Sequence, residues 1–457
     1  MKDESKVGVG KPKHLKPGGA KAVAGETGVV RKRPVSAGPT ASVEAAVAKI
    51  TPARLAAFEI LKLVGENKGH SDELLHSARV DGLSPEDRNL TTALVMGVLR
   101  WQIALDARVR GLLQRPEQRL AEPVSIALRM GAFQLLHLER IPAHAALSES
   151  VELCRAAGEP HATGMVNAVL RKLAAAQRPG VRIHESVAAF AERLGHPRWM
   201  VERWVAAYGR EAALKICEAD QQEPVEGAMF AERGGDWPVM DDGSRLVAEI
   251  AAAAMPGAKR VWDGCAAPGG KTLILAKRLG GAEIVASDVS AKRLAQTEAR
   301  LRRYAYAERV GFAVADAAQA KGVVGEFDLI LCDVPCSGTG TMAGNPEIRH
   351  RLKVEEFVRQ AERQRAILKG ALKRLGPGGQ LVYSTCSLEA EECEGVVDAV
   401  VGEGVAVRVP VDGVMAELAE RGVLGAEMGS AVRDGALRTL PGVHGGDGFY
   451  AVILERA

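Results

Sequence analysis

Beyond Gln221 the apolar pattern of the chain changes period, and this change constrains the fold more than any other feature. Short β-branched runs alternate with amphipathic stretches from there on. Residues 259–264 (KRVWDG), 283–288 (EIVASD), 309–316 (RVGFAVAD), 327–333 (FDLILCD) and 380–386 (QLVYSTC) read as strands. TLILAKRLG and AKRLAQTEARLRRYA read as helices between the first three. A further helix carries Val354, Phe357, Val358, Ala361, Leu368, Leu372 and Leu375. Such alternation predicts βαβ units and a doubly wound, mostly parallel sheet. A sheet of that kind binds ligands beyond the carboxyl ends of its strands.

The preceding half has another period. Leu55, Phe58, Leu61, Leu63 and Val64 recur at helical spacing, and Ser84-Pro85 has the form of an N-cap followed by a first-turn proline. PVSIALRMGAFQLLHLERI, HAALSESVELCRAAG and TGMVNAVLRKLAA continue the pattern, so residues 52–176 are expected to form an all-α domain of five or more helices. One more helix is expected over 196–220. Residues 1–45 are rich in Gly, Pro, Lys and Ser and read as a disordered tail. The first 40 residues carry nine Lys/Arg against three Asp/Glu, a balance of +6 in a chain of net +3. A basic leader of this kind is either a solvated segment or a tether to phosphates.

Composition excludes several classes. Hydrophobic residues make up 47% and charged residues 26%, which suits a globular chain. No apolar run approaches the roughly 18 residues of a membrane span. The N-terminus lacks the apolar core of a secretory signal. Seven cysteines, an odd number, argue for reduced thiols and a cytoplasmic location.

Three motifs follow predicted strands. In VWDGCAAPGGKT (261–272) a strand ends in a glycine-rich turn that opens a helix, where backbone approaches a ligand and N–H groups are free. Asp288 ends the next strand, placed to accept from ribose hydroxyls, and Asp316 ends the third, placed for an adenine amino group. Together these indicate a nucleoside-bearing cofactor. Gly270-Lys271-Thr272 also matches the end of a phosphate-binding loop. However, Cys265 stands where that loop needs its leading glycine, and Pro268 removes an amide. The other motifs are DVPCSGTG (333–340) and STCS (384–387). Cys154, Cys217 and Cys332 read as small buried hydrophobes. Cys336 and Cys386 lie instead among polar turn residues at the ligand edge. No partners at metal spacing accompany Cys332 and Cys336, so no metal is expected.

A nucleoside cofactor beside two thiols suits methylation of carbon 5 of a pyrimidine. A thiolate adding to carbon 6 makes carbon 5 electron-rich enough to take a methyl group from S-adenosylmethionine, and a second thiol assists release. Asp333 is placed to act near N3.

At these residues the chain resembles the NOL1/NOP2/Sun family of RNA cytosine-5 methyltransferases. The strings that carry the resemblance are CAAPGGKT, DLILCDVPCSGTG, NPEIRHRLK, LVYSTCSLEAEECEGVV and LPGVHGGDGFYAVILER. LVMGVLRW, MGAFQLLHLERIPAHAALSESVEL and GMVNAVLRKL resemble the RNA-binding antitermination factor NusB. The resemblance implies a NusB-like RNA-binding domain at 52–176 and a seven-stranded Rossmann-like methyltransferase domain at 238–457. It implies that Cys265, Ala266, Ala267, Pro268, Gly269, Gly270 and Lys271, with Asp288, Asp316 and Asp333, bind S-adenosylmethionine. It also implies Cys386 as nucleophile, Cys336 as the release residue, and RNA, most naturally 16S rRNA, as partner of a monomeric enzyme.

The family's small β-containing RNA-binding subdomain is shortened or absent in the linker 183–237, which puts target choice in question and favours the alternative of an RNA-binding ribosome-assembly or antitermination factor with a non-catalytic methyltransferase-like domain. Residues 341–375 hold nine Lys/Arg against four Asp/Glu. Arg349, His350, Arg351 and Lys353 among them are expected to hold phosphates or to form a solvated helix face.

Overall fold

The computed structural model describes residues 41–176, 185–224, 227–232 and 237–457. Most of the basic tail lies outside the described residues. Its last positions, expected to be disordered, are helical over Ala41–Val47.

Helices Pro52–Gly65, Pro85–Arg110, Glu122–His137, Ala143–Ala156 and Thr163–Ala175 form the helical region, with short turns of helix at Ser71–Leu75 and Ala78–Asp81. The longest one starts where the sequence signals it. The Ser84 hydroxyl accepts from the Asp87 N–H at 3.1 Å and Pro85 takes the first helical position. Phe58, Leu94, Val98, Leu128, Phe133 and Leu170 share one core. Gly97 is required there, because a Cβ would lie 1.9 Å from the Phe133 ring. The buried Arg54 donates to Gln134 at 2.7 Å and pairs with Glu149 at 2.9 Å, which fixes three helices on one ionic hub.

The helix expected over 196–220 is two, Arg198–Tyr208 and Arg210–Ala219. Gly209, at φ +84°, breaks it, although apolar positions continue on both sides. No strand precedes Arg260 among the described residues.

The sheet comprises β1 (Arg260–Asp263), β2 (Glu283–Asp288), β3 (Val310–Val314), β4 (Phe327–Asp333), β5 (Leu375–Thr385), β6 (Ala406–Val409), β7 (Val432–Arg433), β8 (Ala436–Arg438) and β9 (Tyr450–Arg456). Its order is β3-β2-β1-β4-β5-β9, with β3 to β5 parallel and β9 antiparallel. β6 and β8 share the far edge of β9, at its end and its start. The mostly parallel Rossmann-like sheet is as the sequence predicts. The short hairpin β7–β8 raises the strand count from the expected seven to nine, because its apolar residues are too few to register as strands in the sequence.

Helices cover both faces, which is why the strands read as unbroken apolar runs. Val261, Leu329, Leu331 and Val382 pack against Asp242–Ala254 and Gly270–Arg278. Their neighbours Trp262, Ile330, Cys332 and Tyr383 face Glu355–Leu372 and Glu394–Gly402. No helix among the described residues is long and apolar enough to cross a membrane.

Candidate active site

The parallel register of β4 and β5 builds the site. Asp333 lies beside Ser384 as both strands end, so the loops that follow leave the same edge. Cys336 lies three residues beyond β4 and Cys386 directly follows β5. Their Sγ atoms are 3.0 Å apart, one thiol donating to the other. Gly340 closes the arrangement from the side. Its N–H donates to Cys386 O at 2.9 Å and its carbonyl accepts from Gly448 N–H at 2.8 Å. A Cβ there would lie 2.2 Å from Gly448 O, so only glycine fits.

Two clefts meet at Asp333. The larger, about 490 Å³, is lined by Cys265, Asp288, Asp316, Asp333, Cys336 and Cys386, among others. The smaller, about 190 Å³, is lined by Ala266, Pro268, Gly270 and Lys271 together with Ser244 and Asp263. Ala267 borders both. Every predicted site residue except Gly269 therefore lines one cleft or the other. Gly269, at φ +98°, shapes the turn instead, with its Cα hydrogens against Leu301 and Thr297.

Asp288 is buried and accepts the Ser290 N–H at 2.8 Å, with Arg293 3.4 Å away. Asp316 accepts from Ala318 N–H at 3.0 Å and Gln319 Nε2 at 2.6 Å. Asp333 Oδ1 accepts the Ser384 hydroxyl at 2.8 Å, and Oδ2 pairs with Lys271 Nζ at 2.7 Å. Lys271 also donates to Ser244 Oγ at 2.6 Å. Burial opposes the Lys271 charge, but Asp333 beside it more than offsets this and raises its pKa. The hydrogen bond to Cys336, followed by burial, holds the Cys386 thiol well above the ordinary range. Burial raises the Cys265 thiol as well.

Asp263 was not singled out in the sequence. It lies beneath the glycine turn, 1% exposed, accepting from Thr272 Oγ1 at 2.7 Å. Burial pushes its pKa up to about 6. Glu392 was also missed. It is fully buried, and its carboxylate accepts from Ser337 N–H, Gln364 Nε2 and Ser387 Oγ. In the sequence it sits within the acidic run EAEECE, which reads as a solvated surface.

The basic cluster beyond Cys336 is a correction. Arg349 and His350 neither reach into solvent nor face the cleft. Arg349 is 2% exposed and donates to Arg100 O at 3.0 Å, Gly195 O at 3.3 Å and Asp220 O at 3.3 Å. His350 Nε2 bonds Leu99 O at 2.7 Å, and Arg351 donates to Val64 O and Gly69 O. Glu347 accepts from Ser71 at 2.8 Å, while Arg100 answers with a bond to Ala343 O at 2.7 Å. These residues brace the sheet against the helical region, and only Lys353 of the four is exposed.

A family model described as 16S rRNA methyltransferase RsmB/F matches residues 253–455, and one for the NusB family matches residues 51–175. A probable ribosomal RNA small subunit methyltransferase B of Bacillus subtilis is 32% identical over 462 residues, covering 89% of this chain and 99% of the relative. A ribosomal RNA small subunit methyltransferase B of Xanthomonas campestris is 34% identical over 448 residues, covering 88% of this chain and 97% of the relative. The chain belongs to the RsmB/F family of 16S rRNA methyltransferases. It carries the NusB-type helical region in front of the methyltransferase sheet. The crystal structure of PH0851 shares the fold, at TM-score 0.65 and 19% identity over 89% of this chain and 99% of that one.

Proposed function

We propose that the protein transfers a methyl group from S-adenosylmethionine to carbon 5 of a cytosine in RNA, with 16S rRNA in the cytoplasm as the target, through a covalent bond from Cys386 to carbon 6. The observation that carries the reading is the pair of sulfurs 3.0 Å apart in a cleft that also holds Asp288, Asp316 and Asp333.

The cleft suits the cofactor. Its volume lies in the range of small-molecule sites. Acceptors at the ends of β2 and β3 match a ribose diol and an adenine amino group. Three carboxylates on its wall favour a cationic sulfonium over a polyphosphate. The phosphate-loop reading finds no support, since Lys271 is committed to Asp333 and Pro268 offers no N–H. When bound, the cofactor supplies the methyl group.

The protein's part is covalent and electrostatic. Cys386 Sγ adds to carbon 6 as the sulfur gives up its proton and N3 gains one, with the Asp333–Lys271 pair beside the ring. Electron density moves to carbon 5, which takes the methyl group. The carbon 5 proton then passes to solvent with Cys336 assisting, the S–C6 bond breaks with its electron pair returning to sulfur, and the N3 proton restores the Cys386 thiol, which leaves a neutral 5-methylcytosine.

Cys386→Ala should abolish methylation of rRNA while leaving cofactor affinity near wild type. The checks are bisulfite mapping of rRNA and calorimetric titration of the cofactor. Turnover close to wild type in that variant contradicts the assignment.

A further inference from the structure

We propose that Glu392 is the positioning residue that fixes the separation of the two thiols and thereby governs release of the methylated base. The inference rests on the reading of Cys386 and Cys336 given above. Cys336 is followed by Ser337, and Cys386 by Ser387. Glu392 holds both followers: Oε2 accepts the Ser337 N–H at 2.9 Å, and Oε1 accepts the Ser387 hydroxyl at 2.9 Å. Oε2 also accepts Gln364 Nε2 at 2.8 Å, and the same amide nitrogen donates to Pro335 O at 2.9 Å, one residue before Cys336. The Tyr383 hydroxyl donates to the Glu392 carbonyl at 2.7 Å and fastens the residue to β5.

A carboxylate is suited to this task. It is acceptor-only, with lone pairs enough for several donors, so donors from two loops and one helix converge on a single group. Its complete burial leaves those bonds without competition from water. Glu392 is not among the residues that line the cleft. It acts through the loops that carry the thiols. Release needs Cys336 at the adduct on Cys386, and a displacement near 1 Å in such a geometry costs about 10²-fold in rate. Loosening Glu392 should therefore harm release more than the initial attack.

The test uses the full chain and two readouts. The first is closure of a Cys336–Cys386 disulfide by oxidised glutathione, followed by peptide mass spectrometry. In this step two protein thiols are oxidised and one glutathione disulfide is reduced to two thiols. The second is accumulation of the protein–RNA adduct in a single turnover. Glu392→Ala should close the disulfide about ten-fold more slowly and accumulate adduct, whereas Glu392→Gln should stay within about three-fold of wild type. The glutamine amide oxygen still accepts from Ser337 and Gln364 while its NH₂ group donates to Ser387. Glu392→Ala with an unchanged melting temperature, wild-type closure and wild-type release overturns the proposal. If that variant does not fold, Ser387→Ala, which removes one arm, must slow closure, and a wild-type rate there also overturns it. Methylation by Cys386→Ala would sink the cysteine chemistry, yet the closure rates would still decide whether Glu392 sets the thiol spacing.

Discussion

Asp263 shows how a single side chain beneath the site ties stability to pH. Its folded pKa of about 6 lies above the ordinary 3.8 because burial penalises the charge. The contribution of this group is thus fully present below pH 3.8 and is lost as pH climbs through about 6. The shift corresponds to ~3 kcal/mol. Asp263→Asn, whose amide oxygen can still accept from Thr272, should remove this loss. Urea unfolding at intervals from pH 4 to 7 measures it, and an unchanged pH slope contradicts the burial argument. Residues of this kind divide by how visible they are in the sequence. Cys336 and Cys386 were legible because each sits among polar turn residues just after an apolar strand. Asp263 and Glu392 were not, because an acid in a strand end or an acidic run carries no local sign that neighbouring segments will cover it.

Among the elements, register and breaks decide where the chemistry sits. The alternation of β-branched runs and amphipathic helices was sufficient to place β1 to β5 and hence all three motifs at one edge. It did not locate the break at Gly209, since Met200, Val201 and Trp204 before it and Ala213, Ile216 and Cys217 after it continue an apolar pattern. Gly209 has φ +84° and ψ +163°, a region almost closed to L side chains, and a Cβ there would meet nothing within 4 Å. Gly209→Ala should therefore cost about 1–3 kcal/mol through backbone conformation alone. Gly257→Ala, equally open but without a positive φ, should be close to neutral. Equal effects of the two on chemical denaturation would contradict this account of the break. β7 and β8 escaped the sequence reading for another reason: at two and three residues they have no period to detect.

On the scale of the whole molecule, the segment after Cys336 is a brace. Burial lowers the Arg349 pKa to about 10, so the guanidinium stays charged at neutral pH among carbonyls of the helical region and the linker. Charge counting along the sequence saw the cluster but not its direction, because a run of Arg and His looks alike whether it faces RNA or a neighbouring domain. Arg349→Met should destabilise the protein by about 2–5 kcal/mol by leaving the carbonyls of Gly195 and Asp220 without this donor, while Arg100 O keeps its bond from Gln221. It should leave the salt dependence of RNA binding unchanged. A drop of about one in the log–log salt slope would mean that Arg349 does reach a phosphate. His350 makes the same brace sensitive to acid. Burial depresses its pKa to about 4 from 6.5, so its stabilising contribution is present above pH 6.5 and is lost as pH falls through about 4. His350→Gln should flatten the loss of stability over that window by ~3 kcal/mol, read from the same urea series.

The covalent bond to cytosine is tested most directly by trapping it. Cys336→Ala, incubated with rRNA and S-adenosylmethionine, should yield a gel-shifted adduct. After nuclease and protease digestion, mass spectrometry should find a 5-methylated cytidine attached to the peptide that contains Cys386. Methylated RNA with no nucleotide on Cys386, or with the nucleotide on another residue, would contradict the account.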